Sequence, residues 1–155
     1  MRWKLCLALV FSLSDAAVNS AAAATLRVPA EYPGVQEAID AAADGDTVTV
    51  APGAFAVAAS LSFHGKAVVV AAEKGPDETV LRLTGEAAVV FENAETNDSV
   101  LSGFTVTGGS HGGVLCKEGS SPSVNNCVIV RNSSWGSNLF STGGGVSCGR
   151  GASPI

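Results

Sequence analysis

The chain contains few charged residues, few aromatic rings and little basic charge. Asp, Glu, Lys and Arg make up 15% of its 155 residues, aromatic residues make up 6%, and Lys and Arg together number nine. A disordered chain combines low hydrophobicity with high net charge, so a content of 46% hydrophobic residues excludes that class. The scarcity of Lys and Arg also excludes a binder of duplex nucleic acid, which needs a basic stripe to neutralise phosphates.

Small residues take the place of the missing charges and rings. Glycine occurs 18 times, without the Gly-X-Y period that collagen requires, and Ala and Val supply much of the hydrophobic content. The length allows one domain at most. This composition favours a thin, repetitive core over a bulky globular one.

The first 24 residues have the order of a secretory signal peptide. Arg2 and Lys4 precede the apolar run Leu5–Leu13, and small residues follow as far as Ala24. Such a run is too short to cross a bilayer, which takes about 20 residues. We therefore expect cleavage near Ala24 and a mature domain, 25–155, without a membrane span. Its expected location is secreted, periplasmic or at the cell surface.

The cysteine content leaves several pairings open. Cys6 would leave with the signal peptide, so Cys116, Cys127 and Cys148 would remain. An odd number means at least one unpaired thiol, or a pair with another chain, and the sequence does not fix their redox state. No C-x-x-C pair occurs, so no zinc site is expected.

The mature N-terminus shows a strand–helix–strand pattern. Alternating residues predict strands at Thr25–Val28 and Thr47–Val50, and apolar spacing from Val35 predicts an amphipathic helix of about ten residues between them. Further short β runs recur at intervals of roughly 9 to 12 residues, which is typical of a sandwich or a β-solenoid. These runs are Ala67–Ala71, Thr79–Leu83, Ala88–Phe91, Val100–Thr107, Gly113–Cys116, Val124–Arg131 and Gly145–Cys148.

An internal repeat favours the solenoid. Ser99–Ser110 aligns with Ser123–Ser134 at an offset of 24 residues, and His111–Pro122 aligns with Gly143–Pro154 at an offset of 32. The offsets differ because an insert, Trp135–Thr142, separates the two halves of the second copy. Short strands with Gly and Asn at the corners of such a unit are typical of one rung of a parallel β-helix. A leucine-rich repeat and a calcium-binding β-roll are excluded, because their repeat motifs are missing.

The alignment also predicts where thiol and acidic side chains lie. Cys116 stacks on Cys148 as a structural pair, and Glu92 falls in the same column. Glu95 and Asp98 lie in a segment rich in Asn, Asp and Thr, which predicts a solvated turn.

The segment Val28–Phe55 resembles the opening of secreted right-handed parallel β-helix proteins of the pectin lyase-like superfamily. The family pattern is Y-P-x-I-Q-x-A-I-D-A-A-x-D-G-D-T-V-x-V-x-P-G-x-Y, and this chain has YPGVQEAIDAAADGDTVTVAPGAF. The later G-G-x-x-C-x-x-x-S-S-P-S-V-x-N-C units resemble the repeats of that family. The resemblance therefore implies an all-β, right-handed parallel β-helix with a short N-terminal capping helix.

The resemblance is specific for the fold and weak for the activity, because lyases, esterases, hydrolases, epimerases and non-enzymes share this scaffold. For a lyase it implies an Asp cluster that holds calcium, with an Arg or Lys base. For a hydrolase or an esterase it implies a close carboxylate pair. No two acidic residues recur at one rung position, so no catalytic residue, metal site or cofactor is assigned, although calcium stays an option for a lyase.

Two Asp and two His residues have plain structural interpretations. Asp44 and Asp46 predict the end of the helix rather than a calcium site, because calcium takes six to eight oxygen ligands. His64 and His111 are expected in surface loops. Neither has a Ser or Cys nucleophile and a third orienting residue in an evident order.

The insert is the best candidate for ligand binding. Insertions in a repeat usually become loops on one face, often the binding face, and aromatic rings suit sugar surfaces. The candidate ligand-binding residues are Trp135, Asn138 and Phe140. The alternative is that Trp135 folds back and covers a rung.

The chain reaches Ile155 within a repeat, so we expect a truncated domain whose open last rung pairs with downstream repeats or another chain. The predicted function is an exported, non-catalytic surface or polysaccharide-binding scaffold, with extracellular polysaccharide as its partner. The alternative is the N-terminal part of a polysaccharide-processing enzyme, pectate lyase-like or pectin esterase-like, with its catalytic rungs beyond Ile155.

Overall fold

A computed structural model describes residues 22–85, 88–134 and 144–155. In these residues the chain forms a parallel β-helix with one short helix, which confirms the predicted fold class. Nearly all of the predicted signal peptide lies outside the described residues, as do the candidate binding residues Trp135, Asn138 and Phe140.

Strand β1 (Thr25–Val28) and helix α1 (Val35–Ala41) precede four stacked coils, and each coil contributes one strand to each of three sheets. Coil 1 has β2 (Thr47–Val50), β3 (Gly53–Val57) and β4 (Leu61–Ser62); coil 2 has β5 (Val69–Ala72), β6 (Thr79–Leu83) and β7 (Val89–Phe91). Coil 3 has β8 (Val100–Ser102), β9 (Thr105–Thr107) and β10 (Val114–Cys116); coil 4 has β11 (Ser123–Asn125), β12 (Val128–Ile129) and β13 (Val146–Cys148).

The strand order shows how the coils stack. Sheet A has the order β1-β2-β5-β8-β11, sheet B the order β3-β6-β9-β12, and sheet C the order β4-β7-β10-β13. Every strand pair is parallel and in register along the stack, as in the β1–β2 and β2–β5 pairs. Among the described strands, β3 and β4 are therefore the N-terminal edges of sheets B and C.

The core is a set of apolar columns that run along the inner faces of the sheets. In sheet A, Val48 lies opposite Val70 and Val70 opposite Leu101, and all three are fully buried. Next to sheet C, the rings of Phe63 and Phe91 stack with centroids 4.4 Å apart. Full burial of such a side chain contributes about 1.5–3 kcal/mol, so each added coil stabilises the one beneath it.

Helix α1 covers the N-terminal end of the stack. It buries Val35, Ala38 and Ile39 against the first coil, as the apolar spacing predicts. It has seven residues rather than about ten, because the chain becomes extended at Ala42. Lys66 stabilises this end by donating hydrogen bonds from Nζ to the carbonyl oxygens of Ile39, Asp40 and Ala42, at 2.8–2.9 Å.

Most predicted strands are confirmed, with two differences. The predicted strands Val100–Thr107 and Val124–Arg131 are each two short strands, because the chain turns at Gly103 and at Asn126, with φ of +80° and +48°. The sequence pattern also missed β3 and β4, whose segment is rich in alanine and shows no clear alternation.

The register corrects the repeat alignment by one residue. Val106 lies opposite Ile129, at an offset of 23, and not opposite Val130. Val130 is 41% exposed whereas Val106 is fully buried, because a shift of one residue reverses the face of a strand. In sheet C, Phe91 lies opposite Cys116, so the prediction that Glu92 shares that column was wrong.

Coil 4 and the residues after it leave apolar side chains accessible. Val146 is 42% exposed, and Ile155 is 71% exposed. The backbone of Ile155 donates to the oxygen of Pro122 and accepts from the N–H of Val124, which continues sheet A beyond β11. Within the described ranges, no helix is long and apolar enough to cross a membrane.

Candidate functional site

A groove with a volume of about 650 Å³ lies between helix α1 and strand β3. One wall consists of the turn before α1 and of residues along α1 as far as Asp40, and the other is the segment 54–61. It forms because α1 packs on β1, β2 and β4, while β3 is the edge strand of sheet B. In the described part of the chain, β6 is the only strand that pairs with β3.

The groove combines one aromatic ring with acidic and amide side chains. Phe55 packs partly against the core, and Gln36, Glu37 and Asp40 line the helix wall. The Glu37 carboxylate folds back over Gly34, since a Cβ added at Gly34 would lie 2.3 Å from Oε2. The lining residues include no Lys or Arg. The groove therefore has an apolar surface, hydrogen-bonding groups and negative charge.

A polar cluster joins α1 to β4 at one end of the groove. Gln36 Oε1 accepts the Ser62 N–H at 2.8 Å, and Gln36 Nε2 donates to the Ser62 oxygen at 3.0 Å. Gln36 Nε2 also donates to Asp40 Oδ1 at 2.7 Å. Among the described strands β4 pairs with β7 alone, and Gln36 makes backbone hydrogen bonds on its other edge as a neighbouring strand would.

His64 bridges a hydroxyl and a carboxylate in this cluster. Its Nδ1 lies 3.3 Å from Ser62 Oγ, and its Nε2 lies 3.3 Å from Asp40 Oδ1. The expectation that His64 has no serine and no third orienting residue beside it was therefore wrong. One sequence signal was missed: Ser62, at the end of β4, lies two residues before His64. Asp40 reaches His64 only through the packing of α1, which the sequence does not show.

The tautomer of His64 determines whether the ring can accept a proton from the Ser62 hydroxyl. With a proton on Nε2, the ring donates to Asp40 and offers the Nδ1 lone pair to the Ser62 hydroxyl. This chain of hydroxyl, imidazole and carboxylate can take a proton from Ser62 Oγ. Ser62 is 8% exposed, whereas the side chains of His64 and Asp40 are each 53% exposed.

Glu95 corrects another expectation, because it is 1% exposed and not part of a solvated turn. Oε1 accepts the Gly65 N–H at 3.0 Å, and Oε2 accepts the Asn93 N–H and the Ser120 hydroxyl at 2.9 Å each. Burial acts to raise the pKa of Glu95, but hydrogen bonds from Asn93, its own N–H, Gly65 and Ser120 outweigh it and lower the pKa. Glu95 therefore holds turns of three successive coils together as an ionised group.

Asp46 and Asp44 also accept backbone N–H groups. Asp46 accepts the N–H groups of Ala24 at 2.7 Å and Ala43 at 2.8 Å, and the bonds from Ala43 and Ala24 lower its pKa against an opposing effect of burial. Asp44 accepts the Ala67 N–H at 2.9 Å. These bonds fix the end of the helix segment. Among the described residues, no three His, Cys, Asp or Glu side chains come together as a metal site.

Cys116 and Cys148 lie opposite each other in the register of sheet C, as free thiols. Cys116 is buried and Cys148 is exposed. Desolvation of Cys116, together with the neighbouring Cys148 and the charge of Glu95, raises the pKa of Cys116 to about 12.

Comparison with known proteins returns no match: no family model fits this chain, and no curated protein or solved structure is significantly similar to it.

Proposed function

We propose that this chain is a polysaccharide-binding β-solenoid module that holds a glycan in the groove between α1 and β3. The observation that carries the proposal is the position of Phe55 opposite Gln36, Glu37 and Asp40. Sugar rings present apolar C–H faces that pack on aromatic rings, and their hydroxyls pair with carboxylates and amides.

The charge of the groove defines the class of glycan. Glu37 and Asp40 line it without a basic partner in the lining, so a polyuronate would meet like charge there. A neutral polysaccharide avoids this repulsion and can donate its hydroxyls to both carboxylates. The proposed ligand is therefore a neutral polysaccharide chain.

We also propose that the chain is exported and that it belongs to the pectin lyase-like superfamily. The order of charged, apolar and small residues in 1–24 supports export. The motif of Val28–Phe55 supports the family, and the parallel β-helix agrees with it.

Affinity electrophoresis in gels that contain a soluble polysaccharide tests the binding. We expect galactomannan or hydroxyethylcellulose to retard the wild type, and polygalacturonate to leave its mobility unchanged. Phe55→Ala should abolish most of the retardation, while Phe55→Leu, which keeps apolar bulk without an aromatic face, should retain little of it. Retardation that is equal in wild type and Phe55→Ala would contradict the proposed site.

A matched pair of acidic substitutions separates groove contacts from general charge effects. Glu37→Gln keeps the shape of a groove residue and removes its charge, whereas Glu118→Gln makes the same change in an exposed turn of coil 3. We expect weaker retardation for Glu37→Gln alone. An equal effect of both substitutions would indicate bulk charge rather than a site.

The contacts of His64 favour ester hydrolysis as a second candidate function. Ser62 Oγ, His64 and Asp40 form the hydroxyl–imidazole–carboxylate chain that acyl-transfer enzymes use. In this candidate, Ser62 Oγ attacks an acyl ester carbonyl, its proton passes to His64 Nδ1, and the alcohol departs with that proton. Water then hydrolyses the acyl-serine.

Hydrolysis of p-nitrophenyl acetate and of acetylated xylan tests this candidate. Ser62→Ala and Asp40→Asn should abolish the activity. Ser110→Ala is the matched control, because Ser110 Oγ lies 3.2 Å from His111 Nδ1 in a similar pair, and no carboxylate among the described residues contacts the other ring nitrogen of His111. Activity that survives Ser62→Ala would exclude Ser62 as the nucleophile.

A further inference from the structure

Cys116 and Cys148 have the backbone geometry of a cross-strand pair. Strands β10 and β13 are parallel neighbours, with Val114 opposite Val146 and Cys116 opposite Cys148. Neighbouring strands lie about 4.8 Å apart, which falls within the Cα separation of about 4.4–6.8 Å that a disulfide spans. The Cα separation expected of two such neighbouring residues therefore falls within the range of a disulfide.

The two side chains also point to the same side of sheet C. Val114 and Cys116 are buried while Leu115 between them is only partly so, which places Cys116 on the inner face. The register places Cys148 on that face one coil further along the stack. The neighbouring Cys148 thiol contributes to the raised pKa of Cys116, which agrees with two side chains that lie close together.

The third described cysteine has different surroundings. Cys127 lies just before β12, at the corner between sheets A and B. Its thiol donates to the oxygen of Asn125 at 3.2 Å and to that of Leu101 at 3.7 Å. Cys127 is thus engaged with the backbone and is not the register partner of either other cysteine.

A cross-link between Cys116 and Cys148 would join coil 4 to coil 3. Coil 4 has coil 3 on one side, and Val146 on its inner face is 42% exposed. A bond between Cys116 and Cys148 would close the segment 117–147, which restricts the unfolded chain and fixes β13 on β10.

We propose that Cys116 and Cys148 are a disulfide-forming pair that locks coil 4 to coil 3 when a small-molecule disulfide is present as the oxidant. The Cys148 thiolate attacks the oxidant, forms a mixed disulfide and releases one thiol. The Cys116 thiol loses its proton and attacks the Cys148 sulfur, which releases the second thiol. Two protein thiols are thereby oxidised and one disulfide is reduced to two thiols. The exposed Cys148 reacts first, because burial keeps Cys116 protonated.

Peptide mapping of the full chain tests this pairing, since trypsin separates the three cysteines. Cleavage after Arg82, Lys117, Arg131 and Arg150 puts Cys116 on peptide 83–117, Cys127 on 118–131 and Cys148 on 132–150. The chain, with Cys6→Ser as background, is treated with oxidised glutathione, alkylated, denatured and digested without reductant. We expect peptide 83–117 joined to 132–150, and Cys127 alkylated. A link that contains Cys127, or Cys148 carrying only glutathione, would overturn the proposal.

Melting temperatures of two variants test whether the Cys116–Cys148 disulfide stabilises the fold. Oxidation should raise the melting temperature of the wild type and of the matched control Cys127→Ser by about 5 °C or more. Cys148→Ser should show no such rise, and reduction should reverse the effect where it occurs. If oxidation shifts Cys148→Ser as much as the wild type, the bond does not lock the coil. The result does not depend on polysaccharide binding, because no groove residue is changed.

Discussion

The side-chain amide of Gln36 pairs with both backbone groups of Ser62, with its oxygen 2.8 Å from the Ser62 nitrogen and its nitrogen 3.0 Å from the Ser62 oxygen. A neighbouring β-strand would make the same two bonds. Since β4 is the edge strand of sheet C, Gln36 closes an edge that would otherwise expose unpaired backbone groups. One side chain from the capping helix thus takes the place of a strand.

Replacing Gln36 should therefore destabilise the first coil. Gln36→Ala leaves the N–H and the oxygen of Ser62 without these partners, and we expect a loss of about 1–3 kcal/mol in the free energy of unfolding. Gln36→Glu keeps the acceptor and loses the donor, so its loss should be smaller. Urea unfolding measures both, with the exposed Glu73→Ala as a control. Equal midpoints for Gln36→Ala and the control would contradict the edge role.

Lys66 should stabilise the capping helix through its ammonium group. Lys66→Met keeps the apolar stem but leaves the carbonyls of Ile39, Asp40 and Ala42 without that donor, so we expect a loss of about 1–3 kcal/mol. Lys74→Met, in an exposed turn, is the matched control and should change stability by less than about 0.5 kcal/mol. Thermal unfolding followed by circular dichroism compares the two variants. A larger effect at Lys74 than at Lys66 would be inconsistent with this cap.

Glu95 should make the stability of the stack depend on pH. Its pKa lies below the ordinary value of 4.5, so its contribution is fully present above pH 4.5 and is lost as the pH falls through the folded pKa. Asp46 acts in the same direction. Glu95→Gln should lower the free energy of unfolding by about 2–4 kcal/mol at pH 7, because the amide N–H group of the glutamine would face hydrogen-bond donors instead of acceptors. This loss should be smaller at pH 3.

Urea midpoints of the wild type and Glu95→Gln at both pH values test this dependence. Glu118→Gln, an exposed carboxylate one coil away, provides the control and should show no such pH-dependent difference. A cost for Glu95→Gln that stays constant from pH 7 to pH 3 would show that Glu95 is not ionised in the folded chain.

The register of coils 3 and 4 can be tested with two identical substitutions. Val106→Ala removes methyl groups from the core, and we expect a loss of about 2 kcal/mol. Val130→Ala changes a side chain that is 41% exposed and should cost less than about 0.5 kcal/mol. Denaturant midpoints give both values. Equal losses would favour the alignment in which Val106 and Val130 are equivalent.

The fold could be predicted from the sequence because its signals are local and repeated. Strands Thr25–Val28, Thr47–Val50 and Thr79–Leu83 show period-2 alternation, and the structure has the same bounds. The repeat showed stacking, but identical residues at an offset of 24 outweighed the weaker match at 23. A sequence alignment counts identical residues, whereas the register of a strand depends on which of its side chains are buried in the core.

The site was harder to predict because its contacts join distant parts of the chain. Asp40 meets His64 only when α1 packs on coil 1, and Glu95 receives donors from Gly65 and Ser120 on the neighbouring coils. A segment rich in Asn, Asp and Thr looks solvated when it is judged alone. The candidate binding residues of the insert lie outside the described residues, so their role stays a prediction.

A titration followed by NMR tests the central claim, that the α1–β3 groove binds a neutral polysaccharide. The isotope-labelled chain is titrated with a neutral oligosaccharide, such as a galactomannan fragment, and amide shifts are mapped on the sequence. We predict saturable shifts concentrated in residues 33–40 and 54–61, and their loss in Phe55→Ala. No saturable shift, or shifts concentrated on other coils, would contradict the claim.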